Sequence, residues 1–192
     1  MALQPVRRPD FSNSLVHLTR ERRGPPRNAR ETEHIVPAFS VLKEILSAGV
    51  IRGGLGYVKG TTPAVCFSEI PLANIHAFAH PTDGRYRFYG IILSKRAVFE
   101  AGGRPVIYLP DAEGDWIPED QKWRHVRFEH GAVDFTHERE WRIPGDLDLR
   151  TVPGILVIVW TALERADLLT MNVPVSDRIR GILPMEHLTE VL

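Results

Sequence analysis

A chain of 192 residues is long enough for one well-filled core and short for two. Its 43% hydrophobic and 25% charged residues exclude wholesale disorder, and no apolar stretch approaches the ~18 residues that a membrane-spanning helix needs. The net charge is zero but uneven: residues 1–30 carry seven arginines against Asp10 and Glu21, leaving +5 there and −5 on the rest. Such an arginine-rich lip attracts phosphate, unless it is simply a solvated arm. No apolar run follows the first arginines, which predicts no secretory signal. The single cysteine, Cys66, excludes an internal disulfide, so a soluble protein of the reducing cytoplasm is expected.

In chain order, residues 1–13 read as an N-terminal arm and Ser14–Thr19 as a short strand. Residues 20–34 are polar, contain Pro25-Pro26, and read as a flexible loop of the long kind that tends to be functional. Apolar residues at 38, 39, 41, 42, 45 and 46 predict a helix over Val36–Ala48, with Gly49 as its C-cap. A glycine turn at 53–56 leads to a strand over Ala64–Ser68. Pro71 then opens a helix that runs towards His80 and stops at Pro81. Tyr86–Leu93 reads as a strand, Ser94 as the cap of a short helix, and Pro105–Leu109 as another strand. Val133–Ile143 is read as a strand around HEREW, and Ile155–Trp160 is the clearest buried strand. Thr161 with Glu164 predicts a capping box for a helix through Leu169. A strand over Arg180–Leu183 and a terminal helix over Met185–Leu192 complete the chain. Strands and helices alternate irregularly, which points to one α+β domain over residues 1–192 rather than a doubly wound sheet.

Candidate chemistry concentrates at His137-Glu138-Arg139-Glu140-Trp141-Arg142. On a strand, Glu138, Glu140 and Arg142 would share one face, with neighbouring carboxylates about 6–7 Å apart. One carboxylate could stabilise a sugar cation while the other activates an acceptor. The plainer alternative is a charged strand face with an internal Glu140–Arg142 ion pair. His17 and Thr19 would share a face of the first strand, and Ser68 with Glu69 stands where a strand gives way to a proline-started helix. There Ser68 lines a cleft or merely caps the helix. Tyr89 and Tyr108 offer ring-stacking surfaces. The His76/His80 pair has zinc-like spacing but no third ligand, so no metal is expected. Cys66, between Val65 and Phe67, reads as a core thiol.

The order CFSEIPL, YGI, GGRPVIYLP and DFTHEREWR resembles bacterial abortive-infection proteins of the AbiGi type. It also resembles a widespread bacterial family with an E-x-E-aromatic-Arg segment. The opening VHLT followed by LKEILSAGVI is similar to the start of DarT-type ADP-ribosyltransferase toxins. The resemblance covers residues 14–143. It implies an ADP-ribosyltransferase-like fold, with two packed antiparallel sheets forming a cleft for NAD and helices at the periphery. NAD would be the substrate. His17 would contact its nicotinamide side with Thr19 alongside, while Ser68, Tyr89 and Arg142 complete the expected cofactor-binding set. Glu140 would hold the ribose 2′-hydroxyl and stabilise the oxocarbenium ion, and Glu138 would be the second catalytic carboxylate. The acceptor would be a nucleic acid or a protein, and a cognate antitoxin is an expected partner. Two other readings stand beside it. One is a non-catalytic module binding a nucleotide, a nucleic acid or a partner in a defence system. The other is a hydrolase or nuclease using Glu138, Glu140 and His137.

Overall fold

The computed structural model describes residues 12–25, 33–80 and 86–186. The N-terminal arm up to residue 11, the middle of the polar loop, Pro81 and most of the expected terminal helix lie outside the described residues. Seven strands form one sheet. They are β1 (Ser14–Leu18), β2 (Ala64–Ser68), β3 (Gly90–Ser94), β4 (Arg104–Pro105), β5 (Glu140–Pro144), β6 (Ile155–Val159) and β7 (Ile179–Pro184). Their order across the sheet is β7-β6-β3-β1-β2-β5-β4. All neighbours run antiparallel except β6 and β7, which are parallel. The two separate antiparallel sheets expected from the resemblance are therefore joined into one mixed sheet. The join is slight: β1 and β2 share a single register pair, Val16 with Ser68, whereas β1 and β3 share five.

Three helices, α1 (Ala38–Ala48), α2 (Lys95–Glu100) and α3 (Ala162–Thr170), contribute to the core on one face of this sheet. Alternation along each strand sends Leu15, Val65, Phe67, Ile91, Ile143 and Val157 to that face, where they meet Leu42, Leu46, Val98 and Leu168. Truncating one such buried leucine to alanine costs about 2–5 kcal/mol. α1 ends as its sequence predicts: Gly49 takes a φ of 67° and its N–H reaches the carbonyls of Ile45 and Leu46. α3 begins with the predicted reciprocal box, the Thr161 hydroxyl accepting from the Glu164 N–H and the Glu164 carboxylate from the Thr161 N–H.

The opposite face is divided. Along β1, β3 and β6 it is apolar, with Val16, Leu18, Ile92 and Ile158 packed under Ile70, Ile75 and Phe88. Along β2 and β5 it carries Cys66, Ser68, Glu140 and Arg142, which line a cavity instead. Over that polar half lie two 3-10 segments, Asp111–Trp116 and Glu119–Arg124, each opening after a proline.

Several local readings need correction. The strand read at 86–93 is Gly90–Ser94, and the helix after Pro71 is a 3-10 segment over Leu72–Ala77. The polar loop contains a two-stranded ribbon pairing Arg22–Gly24 with His34–Val36. Pro105–Leu109 is broken, its first part pairing with β5 and Ile107–Leu109 pairing in parallel with His125–Arg127. Most consequential, the Val133–Ile143 strand begins only at Glu140: Thr136–Glu138 is a 3-10 turn, and Arg139 takes a left-handed φ of 43°. Among the described residues no helix is long and apolar enough to cross a membrane.

Candidate active site

Register brings the candidate residues together. Glu140 on β5 pairs with Ser68 on β2, which pairs with Val16 on β1. One residue further along β1, where the two halves of the sheet part, the His17 ring turns between the strands. Its Nδ1 lies 2.8 Å from the Cys66 carbonyl oxygen, and its ring meets Phe67 edge-on at 5.8 Å. A carbonyl can only accept, so Nδ1 carries the proton. Burial pushes His17 below the usual histidine range despite that hydrogen bond. A neutral ring with Nδ1 protonated has Nε2 as an acceptor.

The cavity beside these groups has a volume of about 1380 Å³, and His17, Thr19, Ser68, Glu138 and Glu140 all line it. Eight basic side chains line it against four acidic ones. Seven of the eight are ion-paired: Arg22 with Glu44, Arg23 with Glu33, Arg52 with Asp146, Lys59 with Asp111, Arg87 with Glu21, Arg127 with Glu129 and Arg142 with Glu140. Arg20 is exposed at the lining and has no acidic partner among the described residues. A concave site larger than a typical small-molecule pocket, with Arg20 at its lining, has room for an extended ligand of dinucleotide size.

Glu140 is only 9% exposed and is gripped by Arg142, whose Nε–H donates to Oε1 at 2.7 Å and whose Nη2 donates to Oε2 at 3.2 Å. The third guanidinium nitrogen donates to the Trp123 carbonyl at 2.7 Å. Burial pulls Arg142 down, but the charge and hydrogen bonds of Glu140 outweigh it and hold the guanidinium above its ordinary value. All three nitrogens of Arg142, expected among the cofactor contacts, are engaged with the protein, and the residue still lines the cavity. A carboxylate has about four lone-pair sites, so the fork leaves Glu140 two with which to meet a ligand hydroxyl.

Glu138 reaches the same cavity by a different route from the one expected. Strand alternation does not apply to it, because the left-handed Arg139 separates it from β5; the 3-10 turn buries it at 8% exposure instead. Thr19 is 2% exposed, and its hydroxyl lies 3.0 Å from the Ala38 carbonyl and 3.1 Å from that of Tyr89, which fixes the end of β1 to α1. Tyr89 stands apart from the cavity. Its ring packs on Phe39 at 5.4 Å and its hydroxyl donates to Glu164 at 2.6 Å, so it is a packing residue where a cofactor contact was expected. Ser68 does not cap the following 3-10 segment, whose N-cap is Pro71 without a side-chain cap. His137, needed by a hydrolase reading, stacks on Phe78 at 5.7 Å and does not line the cavity.

Tyr108 is more than the ring surface its sequence suggests: its hydroxyl accepts from the Glu140 N–H at 3.0 Å and donates to the Phe135 carbonyl at 3.2 Å. Burial pushes its own pKa up to about 12, so it remains a phenol. Glu69 is 7% exposed, pairs with Lys95 at 2.9 Å and accepts from the Trp141 indole N–H at 3.2 Å. The alternation of HEREWR carries no signal for either role, because both depend on partners over 30 residues away in sequence or on another element.

The chain matches no protein-family model, no curated protein and no solved structure.

Proposed function

We propose that the protein cleaves NAD and transfers its ADP-ribose, with Glu140 as the essential carboxylate. The observation that carries the reading is the meeting of His17, Ser68 and Glu140, from three adjacent strands, in one cavity with an excess of basic side chains. These are the residues that the ADP-ribosyltransferase resemblance marks, and the split between β1 and β2 supports the same fold assignment. In the reaction the C1′–N bond breaks with its electron pair going to the nicotinamide nitrogen. Glu140, oriented by Arg142 and by the Tyr108 hydroxyl, stabilises the ribosyl cation and holds the 2′-hydroxyl. His17 offers a neutral acceptor to the nicotinamide side, and the basic lining holds the pyrophosphate. The phage-defence setting, a nucleic-acid or protein acceptor and a cognate antitoxin belong to the same proposal through the resemblance.

A binding module is the second reading, and one observation favours it: the guanidinium of Arg142 already neutralises Glu140. Titration with NAD, followed by thermal shift and nicotinamide release, separates the two. A rise in melting temperature with slow release that Glu140→Gln abolishes supports the transferase. A rise without release supports the binding module, and neither effect would sink both as readings of an NAD site.

A further inference from the structure

Val16 on β1, Ser68 on β2 and Glu140 on β5 stand side by side where the two halves of the sheet meet. From there β1 runs on through Leu18 to Arg20, while β2 leads back through Cys66 to Ala64, and both stretches line the large cavity. No register pair other than Val16 with Ser68 joins the two strands, so the space opens between them. Val16, Leu18 and Arg20 alternate onto the sheet face that carries Cys66, Ser68, Glu140 and Arg142. Thr19 turns the other way, its hydroxyl bound to the Ala38 carbonyl. Four residues span at most about 14 Å, which puts Arg20 beyond the carboxylate yet inside the same space.

The charge of this lining is uneven. Where β1 leaves the sheet lie Arg20, Arg22, Arg23 and Arg87, and only three glutamates meet these four arginines. Arg22 pairs with Glu44, Arg23 with Glu33 and Arg87 with Glu21. Glu21, the neighbour of Arg20 in sequence, is thus already taken by Arg87 at 3.1 Å and also lies 4.0 Å from Arg23. Arg20 is exposed and carries the charge left over, with no acidic partner among the described residues. Elsewhere in the lining Arg52, Lys59 and Arg127 are matched one for one by Asp146, Asp111 and Glu129, and Arg142 by Glu140.

Resting on the transferase reading, we propose that Arg20 is the phosphate anchor of the cavity, so that a dinucleotide lies with its reacting ribose at Glu140 and its diphosphate where β1 leaves the sheet. A guanidinium offers two parallel N–H donors to the oxygens of one phosphate, and its charge strengthens both bonds. Arg20 can make them without giving up an acidic partner among the described residues. The opposite placement, with the diphosphate towards Arg52 and Lys59, would have to open an existing ion pair first. Glu140 and Arg20 thereby divide the ligand between them: the carboxylate meets the sugar whose bond breaks, and the guanidinium meets a part of the molecule that the reaction leaves unchanged.

Calorimetric titration of the full-length protein with NAD and with ADP, for wild type, Arg20→Gln and Arg20→Lys, tests this. Arg20 is exposed, so Arg20→Gln should keep the wild-type melting temperature. It should bind both ligands about tenfold or more weakly at low salt, and the gap should narrow as ionic strength rises. Arg20→Lys keeps the charge without the fork and should recover part of the loss. In nicotinamide release, Arg20→Gln should raise KM by a similar factor and leave kcat within about twofold, because an anchor away from the breaking bond holds ground state and transition state alike. Equal binding of both ligands by wild type and Arg20→Gln, or a fall in kcat at unchanged KM, would overturn the anchor and leave the transferase reading standing. Binding of ADP that depends on Arg20, without any nicotinamide release from NAD, would keep the anchor and overturn the transferase reading. No binding of either ligand by wild type would overturn both.

Discussion

The His17 Nδ1–H donates to the carbonyl of Cys66 at the seam where the two halves of the sheet share only the Val16–Ser68 pair. One side chain thus bridges the parting strands with the proton on its Nδ1, which leaves the other ring nitrogen an acceptor.

This arrangement has a pH consequence. Burial lowers the folded pKa of His17, so the unfolded chain takes up a proton first as pH falls below about 6.5. The stability tied to neutral His17 is therefore complete above that value and drains away between it and the lower folded value. Denaturant midpoints measured from pH 7.5 to 5 should fall more steeply for wild type than for His17→Gln. Parallel curves would show that His17 is not the group responsible.

The Glu140–Arg142 fork predicts strong coupling. Breaking a buried pair leaves one charge uncompensated and costs about 3–5 kcal/mol, whereas removing both charges costs much less than the sum. Arg142→Met and Glu140→Gln should each lower stability, and the double variant should be close to the milder single one. Chemical denaturation of the four proteins measures this, and additive losses would mean that the fork is not the unit drawn here.

Cys66 sits opposite Arg142 in the register, and burial first, then the Glu140 charge, pushes its thiol up to about 12. At pH 8 almost none is thiolate, so an alkylating reagent should leave the native protein unmodified over hours and label it fully in denaturant. Rapid native labelling would place a reactive thiolate at the cavity floor.

What the sequence makes legible here is what local chemistry decides. Ile155–Val159 is apolar and almost wholly β-branched, Ala64–Ser68 is a short, mostly apolar run, and the Thr161–Glu164 box and Gly49 cap are closed within a few residues. His17, Ser68 and Glu140 could be singled out as residue types, and the Glu140–Arg142 pair follows from their i, i+2 spacing on a strand. The start of that strand could not, because HEREWR alternates equally well throughout, while the turn before it is held by the Asp134 carboxylate on the Thr136 N–H and by the distant Glu69 N–H on the Glu138 and Arg139 carbonyls. Glu69 reads as a polar residue at a strand end until Lys95 and Trp141 arrive from two other elements.

Gly90 shows how tightly the β1–β3 half is set. A Cβ there would come 2.4 Å from the His17 carbonyl oxygen and 3.2 Å from the Leu18 Cα, both backbone atoms. Gly90→Ala must push β3 away from β1, which costs about 1–3 kcal/mol by overpacking and displaces His17 from the seam. Thermal denaturation should show the loss, and NAD binding should weaken along with it. A variant as stable as wild type would mean that the strands separate freely at this point.

The turn before Glu140 gives the opposite expectation. Arg139 holds φ at 43°, a left-handed conformation that costs an ordinary residue about 1–2 kcal/mol and glycine almost nothing, although glycine loses about 0.5–1 kcal/mol more chain entropy on folding. Arg139→Gly should therefore be within about 1 kcal/mol of wild type, while Arg139→Val, β-branched and worst suited to that region, should be clearly less stable. Because the turn delivers both Glu138 and Glu140, the valine variant should also lose nicotinamide release more than the glycine variant does. If valine were tolerated as well as glycine, the left-handed turn would not be what sets the start of β5, and Glu138 would be free to join the strand and share a face with Glu140.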